Sequence, residues 1–321
     1  MSELTPLPVL PAHAIPATQA QNRWLIEGLW GFDAVGILGG EPKCCKSLFA
    51  LTMAVAVASG IRCLGEHAAQ RTGTVLLFAA EDAPAIVRDR LTMLCAGMGV
   101  DLAAIPVQII TAPKLRLDDP TDRQRLELTV AHYRPVLLIL DPFVRLHRVD
   151  ENIAGEVAPI LDGLRQLQRT YGCAIMVVHH ARKGAGHLRA GQALRGSSEF
   201  HAWGDSNLFI RRQQDVLTLD IEHRAAQAPD PIALSLIASE RHLVLQPITE
   251  AMVDADEAIS PERRALEILE EASQPLTRRE IQALLKVRAA TVGKILDTLE
   301  ALGRITHDAQ GYRLSSAAGV C

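Results

Sequence analysis

Lys46 and Ser47 close the run Gly39-Gly40-Glu41-Pro42-Lys43-Cys44-Cys45, and this order of residue types is suited to holding a phosphate chain. Backbone N–H groups at a helix start face the anion, the ammonium neutralises terminal phosphate charge, and the hydroxyl ligates a divalent cation. The phosphate-binding set therefore reads Gly40, Lys43, Cys44, Cys45, Lys46, Ser47 and Leu48, with ATP and Mg²⁺ as the expected cofactors. One position departs from the pattern GxxxxGK[ST]. Cys45 stands where the last glycine would be, and a side chain there crowds the closest backbone approach to phosphate, which predicts weak binding or slow turnover.

Carboxylates and imidazoles follow at matching places. Leu76-Leu77-Phe78-Ala79-Ala80 runs into Glu81-Asp82, which puts Glu81 at a strand's carboxyl edge, where it is expected to orient and deprotonate an attacking water, while Asp82 caps the next helix. Val136-Leu137-Leu138-Ile139-Leu140 ends in Asp141, a Walker B form whose aspartate holds Mg²⁺ together with Ser47. Ala174 to Val178 ends in His179-His180, and an imidazole there senses a γ-phosphate by hydrogen bonding. Neighbouring strand residues point to opposite faces and no third ligand is evident, which argues against a metal site on the pair. Lys46, Glu81 and His180 are thus the expected catalytic residues.

Two basic stretches lie beyond these strand ends: Arg145, His147 and Arg148, then Arg182, Lys183, His187, Arg189 and Arg195 in a glycine-rich segment. Such cations follow a nucleic-acid backbone or form a solvated loop, and the residues alone leave both open.

The elements that must position these groups are legible from periodicity. Apolar runs at Val35 to Leu38, Thr74 to Ala79, Val107 to Ile110, Val136 to Leu140 and Ala174 to Val178 predict strands buried on both faces. Helical patterns at Ser47 to Ser59, Ala83 to Met98, Thr121 to His132 and Asn152 to Tyr171 alternate with them, which implies an α/β fold with a mainly parallel sheet. Runs at Leu208 to Arg211, Val216 to Glu222, Ile232 to Ile237 and His242 to Leu245 predict antiparallel strands added at one edge. The expected organisation is a flexible segment over 1–22, an ATPase domain over 23–248, an acidic linker over 249–259, a small domain over 260–316 and a tail over 317–321. In the small domain, Ser260-Pro261 starts a first helix, Thr277 and Glu280 form a capping box for a second, and a third runs from about Ala289 to Leu302. Two short strands around Ala309-Gln310-Gly311 complete a winged-helix pattern.

Bulk properties set the frame. The 321 residues are 48% apolar and carry a formal charge of −4, so the chain has no global attraction to nucleic acid and any such binding rests on local patches. Six cysteines without a CxxC pair argue against a zinc site or a disulfide framework, and a reducing cytoplasm is the expected location. The N-terminal segment lacks the basic and apolar regions of a signal peptide. The apolar stretch Leu48 to Ile61 is too short for the roughly twenty residues of a membrane span, and no membrane association is expected.

Taken in order, GGEPKCCKSLFAL, LLFAAEDAPAIVRDRL, LLILDPFVRLHRVDENIAG, IMVVHHARKGAG and LRGSSEFHAWGDSNLFI resemble the RepA-like hexameric helicases of plasmids, a branch of the RecA-like P-loop ATPases with an AAA-type ATPase domain. The resemblance spans roughly residues 23 to 215. It implies that Lys46 and Ser47 bind phosphate and magnesium, Glu81 is the general base, Asp141 the Walker B aspartate and His180 the γ-phosphate sensor. It further implies a homo-oligomeric ring, hexameric in that family, acting on single-stranded DNA in replication or mobilisation of an accessory element. Arg145, Arg148, Arg182, Lys183 and Arg189 are the corresponding DNA contacts. A neighbour's arginine completes such sites, and Arg195, Arg211 and Arg212 are the candidates, since the position matching the family's finger holds Asp205. The appended domain departs from the family. Its Arg288, Thr291 and Lys294 are placed to read duplex DNA, yet residues 260–315 carry nine Lys/Arg against eight Asp/Glu, so a protein partner fits equally. Two alternatives stay open: an ATP-dependent DNA-binding or assembly factor with little hydrolysis, and a RecA-like recombination filament.

Overall fold

The structure is a computed structural model that describes residues 7, 9–15, 23–180, 199–213, 216–248, 261–272, 274–285, 287, 289–308 and 310–315. Contacts divide the chain into two units, one ending at Pro247 and one beginning at Ile248. The predicted linker 249–259, Ser260 and the tail from 317 lie outside the described residues. So do Arg182, Lys183, His187, Arg189, Arg195 and Arg288, and most of the segment 1–22.

The first unit opens with a short antiparallel pair, β1 (Trp24–Ile26) and β2 (Trp30–Gly31), which periodicity did not reveal because each is only two or three residues long. Alternating strands and helices follow: β3 (Val35–Gly40), α1 (Lys46–Ser59), β4 (Val75–Ala79), α2 (Pro84–Met98), β5 (Val107–Ile109), α3 (Pro120–Tyr133), β6 (Leu137–Asp141), α4 (Ala154–Tyr171) and β7 (Ala174–His180). A short helix α5 (Glu199–Trp203) leads into β8 (Ser206–Gln213), β9 (Val216–His223), β10 (Ile232–Ala238) and β11 (Leu243–Pro247). Among the described residues nine strands form one sheet in the order β11-β10-β9-β8-β3-β7-β6-β4-β5. This is the expected mainly parallel α/β sheet with antiparallel strands at one edge, with one correction. β8 runs parallel to β3, Leu38 opposite Leu208 and Gly40 opposite Ile210, and antiparallel pairing begins only at β9.

The sheet separates two cores. On one face α1 and α2 pack with Leu217, Leu219, Leu234 and Leu245 of β9 to β11, so the antiparallel strands cover the same side as α1. Helix α1 is buried from Phe49 to Ala58, lying on the parallel strands with α2 beside it, and α2 in turn packs against β11. On the other face lie α3 and α4, where Val157, Ile160, Leu161, Leu164 and Leu167 recur at helical spacing against Phe143, Phe200 and Trp203. Among the described residues no helix is long and apolar enough to cross a membrane.

Asp205 links the two halves of this unit. Its carboxylate pairs with Arg165 of α4 and Arg224 and accepts from the Val35 N–H at 3.3 Å, while its own N–H donates to the Val35 carbonyl at 2.7 Å. Asp82 does not cap α2: Ala83 occupies the cap position without a side-chain bond, Pro84 opens the helix, and Asp82 pairs with Arg90 one face along.

In the second unit α6 (Pro261–Glu271), α7 (Arg278–Leu285) and α8 (Ala289–Ala301) precede an antiparallel hairpin of β12 (Ile305–Asp308) and β13 (Gly311–Leu314). Thr277 and Glu280 bond reciprocally at the start of α7, Thr277 N to Glu280 Oε2 at 2.8 Å and Glu280 N to Thr277 Oγ1 at 3.4 Å. Ala265, Leu269, Ile281, Val292, Ile295, Leu296, Leu299 and Ile305 form a separate core.

Candidate functional site

The site collects at the carboxyl edge of the parallel strands. β3 ends at Gly40, whose φ of 155° suits glycine, and a Cβ there would stand 2.3 Å from the Ile210 carbonyl oxygen of β8 and 2.7 Å from Cys44 Sγ. The chain then turns through Lys43 and Cys45, both in the left-handed region at φ 66° and 64°, before α1 starts at Lys46. Two non-glycine residues in that region are costly for L-amino acids, so the loop's shape is imposed by its surroundings rather than by its own preference.

Lys46 is buried, and its ammonium donates to the Gly40 carbonyl at 2.9 Å and the Glu41 carbonyl at 2.7 Å, curling back over the loop. Cys44 Sγ lies 3.8 Å from the same nitrogen. Burial pulls the Lys46 ammonium below its ordinary range despite Cys44, Asp141 and Glu81 nearby. Burial likewise pushes the Cys44 thiol up, although Lys46 opposes it. The Asp141 carboxyl is pushed up to about 6, chiefly by burial, against a hydrogen bond from the Ser47 hydroxyl and the charge of Lys46, with Asp82 and Glu81 adding to the rise. Ser47 and Leu48 are half-buried at the head of α1, and Leu48 packs against the core beneath. No side chain caps the first turn of α1. Its N–H groups therefore have no side-chain acceptor among the described residues.

Register places the remaining residues. Asp141 pairs opposite Ala79, and His179 and His180 pair opposite Gly39 and Gly40. Val178 belongs to the α1 core and Val177 to the α4 core, so alternation sends His180 to the α1 side and His179 to the other. Indeed His179 is fully buried there, stacked on Phe200 at 4.5 Å and edge-on to Phe143 at 5.9 Å. The same alternation sends Asp141, next after Leu140 of the α4 core, to the α1 side with Lys46, Ser47 and His180. Glu81 stands on the rim, half-exposed, and forms an ion pair with Arg145 at 2.8 Å.

The loop after β6 differs from its sequence reading. Arg145 and Arg148 are exposed, but His147 is buried, its ring against Phe143 at 4.4 Å and its Nε2 3.3 Å from Glu151 Oε1. Arg116 braces this loop from below by donating to the carbonyls of Arg145 and His147 at 2.6 and 2.9 Å. Sequence reasoning passed over Glu151 and Arg116, since neither sits at a strand end. The spacing of His147 and Glu151, four apart, was the available signal. Of the finger candidates, Arg211 is tied to Asp220 of β9 at 2.6 Å, whereas Arg212 is exposed and donates to the Lys43 carbonyl at 3.4 Å.

Comparison with known proteins gives the family and supports the fold. The chain matches the AAA domain family over residues 2–186. Among solved structures it is similar to a DnaB-like replicative helicase, studied for its interactions with primase, with a TM-score of 0.53 and 12% identity over 66% of this chain and 59% of that one. A RadB recombinase aligns with a TM-score of 0.48 and 15% identity over 67% of this chain and 92% of that one. This chain thus spans about three-fifths of the helicase chain's length, and at such identity the likeness is one of fold. With a match across more than half its length and a helicase-like mainly parallel α/β sheet, the chain belongs to the AAA domain family.

Proposed function

We propose that this protein binds and hydrolyses ATP as a ring-forming RecA-like motor of the RepA type, acting on single-stranded DNA. The observation that carries the reading is the convergence of Lys46, Ser47, Asp141 and His180 on the α1 side of one sheet edge, with Glu81 on its rim.

The residues fit a nucleotide with Mg²⁺. The Ser47 hydroxyl lies near enough to the Asp141 carboxylate to favour its charged form, and the two are hard oxygen donors of the kind Mg²⁺ prefers. Burial disfavours the charged forms of both Lys46 and Asp141, and a bound phosphate and cation restore what burial removes. Bound nucleotide supplies the phosphoryl group, and Mg²⁺ would neutralise its charge. Lys46 turns from its own loop carbonyls to the phosphate oxygens, the first-turn N–H groups of α1 orient those oxygens, and His180 donates to the terminal one. Glu81 aligns the attacking water and takes its proton, a role that requires Arg145 to leave it. Arg212, already at the phosphate loop, supplies positive charge from the same chain, and Arg195 remains a candidate for a neighbour's finger.

For DNA, Arg145 and Arg148 present charge on an exposed loop beside the site. In the second unit the helices and hairpin form a winged helix by our reading, and Thr291 and Lys294 are exposed on one face of α8, available to duplex DNA or a protein partner. A second reading, an assembly factor with little hydrolysis, draws on Cys45 in the left-handed region and on Asp205, which is bound to Arg165 and Arg224 where the family has its finger.

The deciding measurement is Mg²⁺-dependent ATP hydrolysis with and without single-stranded DNA, alongside electron microscopy of the particles. We expect stimulation by DNA, closed rings, and a loss of turnover on the order of 10²–10³-fold in Lys46→Ala. Rings that bind ATP without turnover favour the assembly factor, and open filaments the recombination reading.

A further inference from the structure

The loop that leaves β6 is held by its backbone and free at one side chain. Its carbonyls at Arg145 and His147 accept from Arg116 Nη1 at 2.6 and 2.9 Å, and the carbonyl between them, at Leu146, accepts from the Leu117 N–H at 2.6 Å. Arg116 is itself fixed, its N–H donating to Asp122 Oδ2 in the first turn of α3 at 2.9 Å. Leu146 and His147 are buried beneath the loop. Three successive carbonyls tied to one two-residue segment leave this backbone little freedom. Arg145 turns the other way: its side chain is 61% exposed, and its Nε donates to Glu81 Oε1 at 2.8 Å. The reach is short because β4 and β6 are neighbours, with the Ala80 N–H donating to the Asp141 carbonyl at 2.7 Å where their pairing ends. One guanidinium thus stands between the carboxylate assigned to the attacking water and an exposed basic loop that also carries Arg148.

We propose that Arg145 is a nucleic-acid-operated gate on Glu81: it holds the carboxylate while the loop is empty and releases it when a phosphate of a single strand takes the guanidinium, with Arg116 as the positioning residue that keeps the loop still while the side chain turns.

The gate rests on the motor reading for what Glu81 does once released, which is to align the attacking water and take its proton. Glu81 and a backbone phosphate are both anions, so each opposes the other's approach to the one guanidinium. The strength of the contact suits the task. Both side chains of the pair reach solvent, and an ion pair in water is weak enough for a phosphate to displace. Arg148, exposed three residues on, offers the incoming strand a second cation, an advantage over a single carboxylate. The bracing decides what moves. With the carbonyls of residues 145 to 147 tied to Arg116 and Leu117, the strand gains Arg145 by turning a side chain and not by reshaping the loop. Competition of this kind is reciprocal: the factor by which Glu81 holds Arg145 back from the strand is the factor by which the strand frees Glu81.

Reciprocity allows a test on DNA affinity that needs no turnover. Full-length, nucleotide-free protein is titrated into a fluorescein-labelled oligothymidylate at fixed salt, and binding is followed by anisotropy. Glu81→Gln removes the competitor for Arg145 and is expected to tighten binding by about two- to fivefold, the range that an exposed ion pair allows. Arg145→Gln is expected to weaken binding, and Glu81→Gln added to it to change nothing further. Arg116→Met frees two of the three carbonyls and is expected to shrink the gain from Glu81→Gln, while Arg116→Lys keeps a donor there and returns most of it. Equal affinity of wild type and Glu81→Gln, or the same gain once Arg145 is replaced, overturns the gate. A full gain in the Arg116→Met background overturns the part given to Arg116. A wild type that hydrolyses ATP without binding the oligonucleotide overturns the gate and leaves the ATPase reading intact. The expected coupling in a protein that never hydrolyses ATP upholds the competition for Arg145 and overturns the motor reading instead.

Discussion

The two faces of one sheet edge treat charge in opposite ways. On the α1 side burial works against the ions: Lys46 is pulled down, Asp141 is pushed up to about 6, and the ammonium makes do with carbonyls of its own loop. On the α4 side the ion wins: Glu151 is held below its ordinary range by the imidazoles around it. A face whose charges are disfavoured until something arrives is a face built to receive a ligand. A face whose charges satisfy one another is built to hold geometry. The difference separates receiver from support without reference to which residue types are present, since both faces mix acids and bases.

The largest test of that contrast is Asp141→Asn. An aspartate raised from 3.8 to about 6 binds its proton more tightly folded than unfolded, so its ionisation costs stability as pH rises from about 4 and the cost is complete above about 6. Relative to wild type, the Asn variant without nucleotide should gain up to about 3 kcal/mol over that window and stay level above it, by denaturant titration at several pH values. A variant no more stable at pH 7 than at pH 4 relative to wild type breaks the contrast. Cys45→Gly addresses the loop itself: releasing a left-handed cysteine should stabilise the protein by about 0.5 kcal/mol net of glycine's greater chain entropy, and should tighten nucleotide binding. Equal melting temperature and equal ATP affinity would show that the loop tolerates the side chain at no cost. The smallest effect is expected at the rim. The Arg145–Glu81 pair is exposed and contributes of the order of 0–1 kcal/mol, so Arg145→Ala should raise DNA-free hydrolysis only a few-fold while removing most stimulation by DNA. A fall in the DNA-free rate would mean that Arg145 assists Glu81 rather than occupying it.

The parallel strands and their helices were legible because apolar runs and helical periods leave long signals, and the predicted limits of α1, α2 and α3 differ from the observed ones by a single residue. The places of Asp141, His179 and His180 at strand ends were legible because the apolar runs before them stop there. Other features had no such signal. β8 was read as antiparallel because its alternation resembles that of β9, and nothing in a strand's own residues records the direction of its neighbour. Between Arg145 and Arg148, His147 reads as part of a solvated basic loop, and only the packing of Phe143 and Glu151 around it shows it to be buried. Nothing in the residues around Asp205 announces its contacts with Arg165, Arg224 and Val35, which fasten β3, α4 and the start of β8 together.

Helix α1 imposes an order on how this unit is built. It begins at Lys46 and is buried from Phe49 to Ala58, but the strands β6 and β7 that it packs on begin only at Leu137 and Ala174. During synthesis this helix therefore leaves the ribosome long before those strands exist. Contacts this distant in sequence form slowly and leave apolar surface exposed while they wait. The segment that carries Lys46 and Ser47 is thus completed late, and a chain interrupted before β6 would carry α1 without two of the strands it packs on.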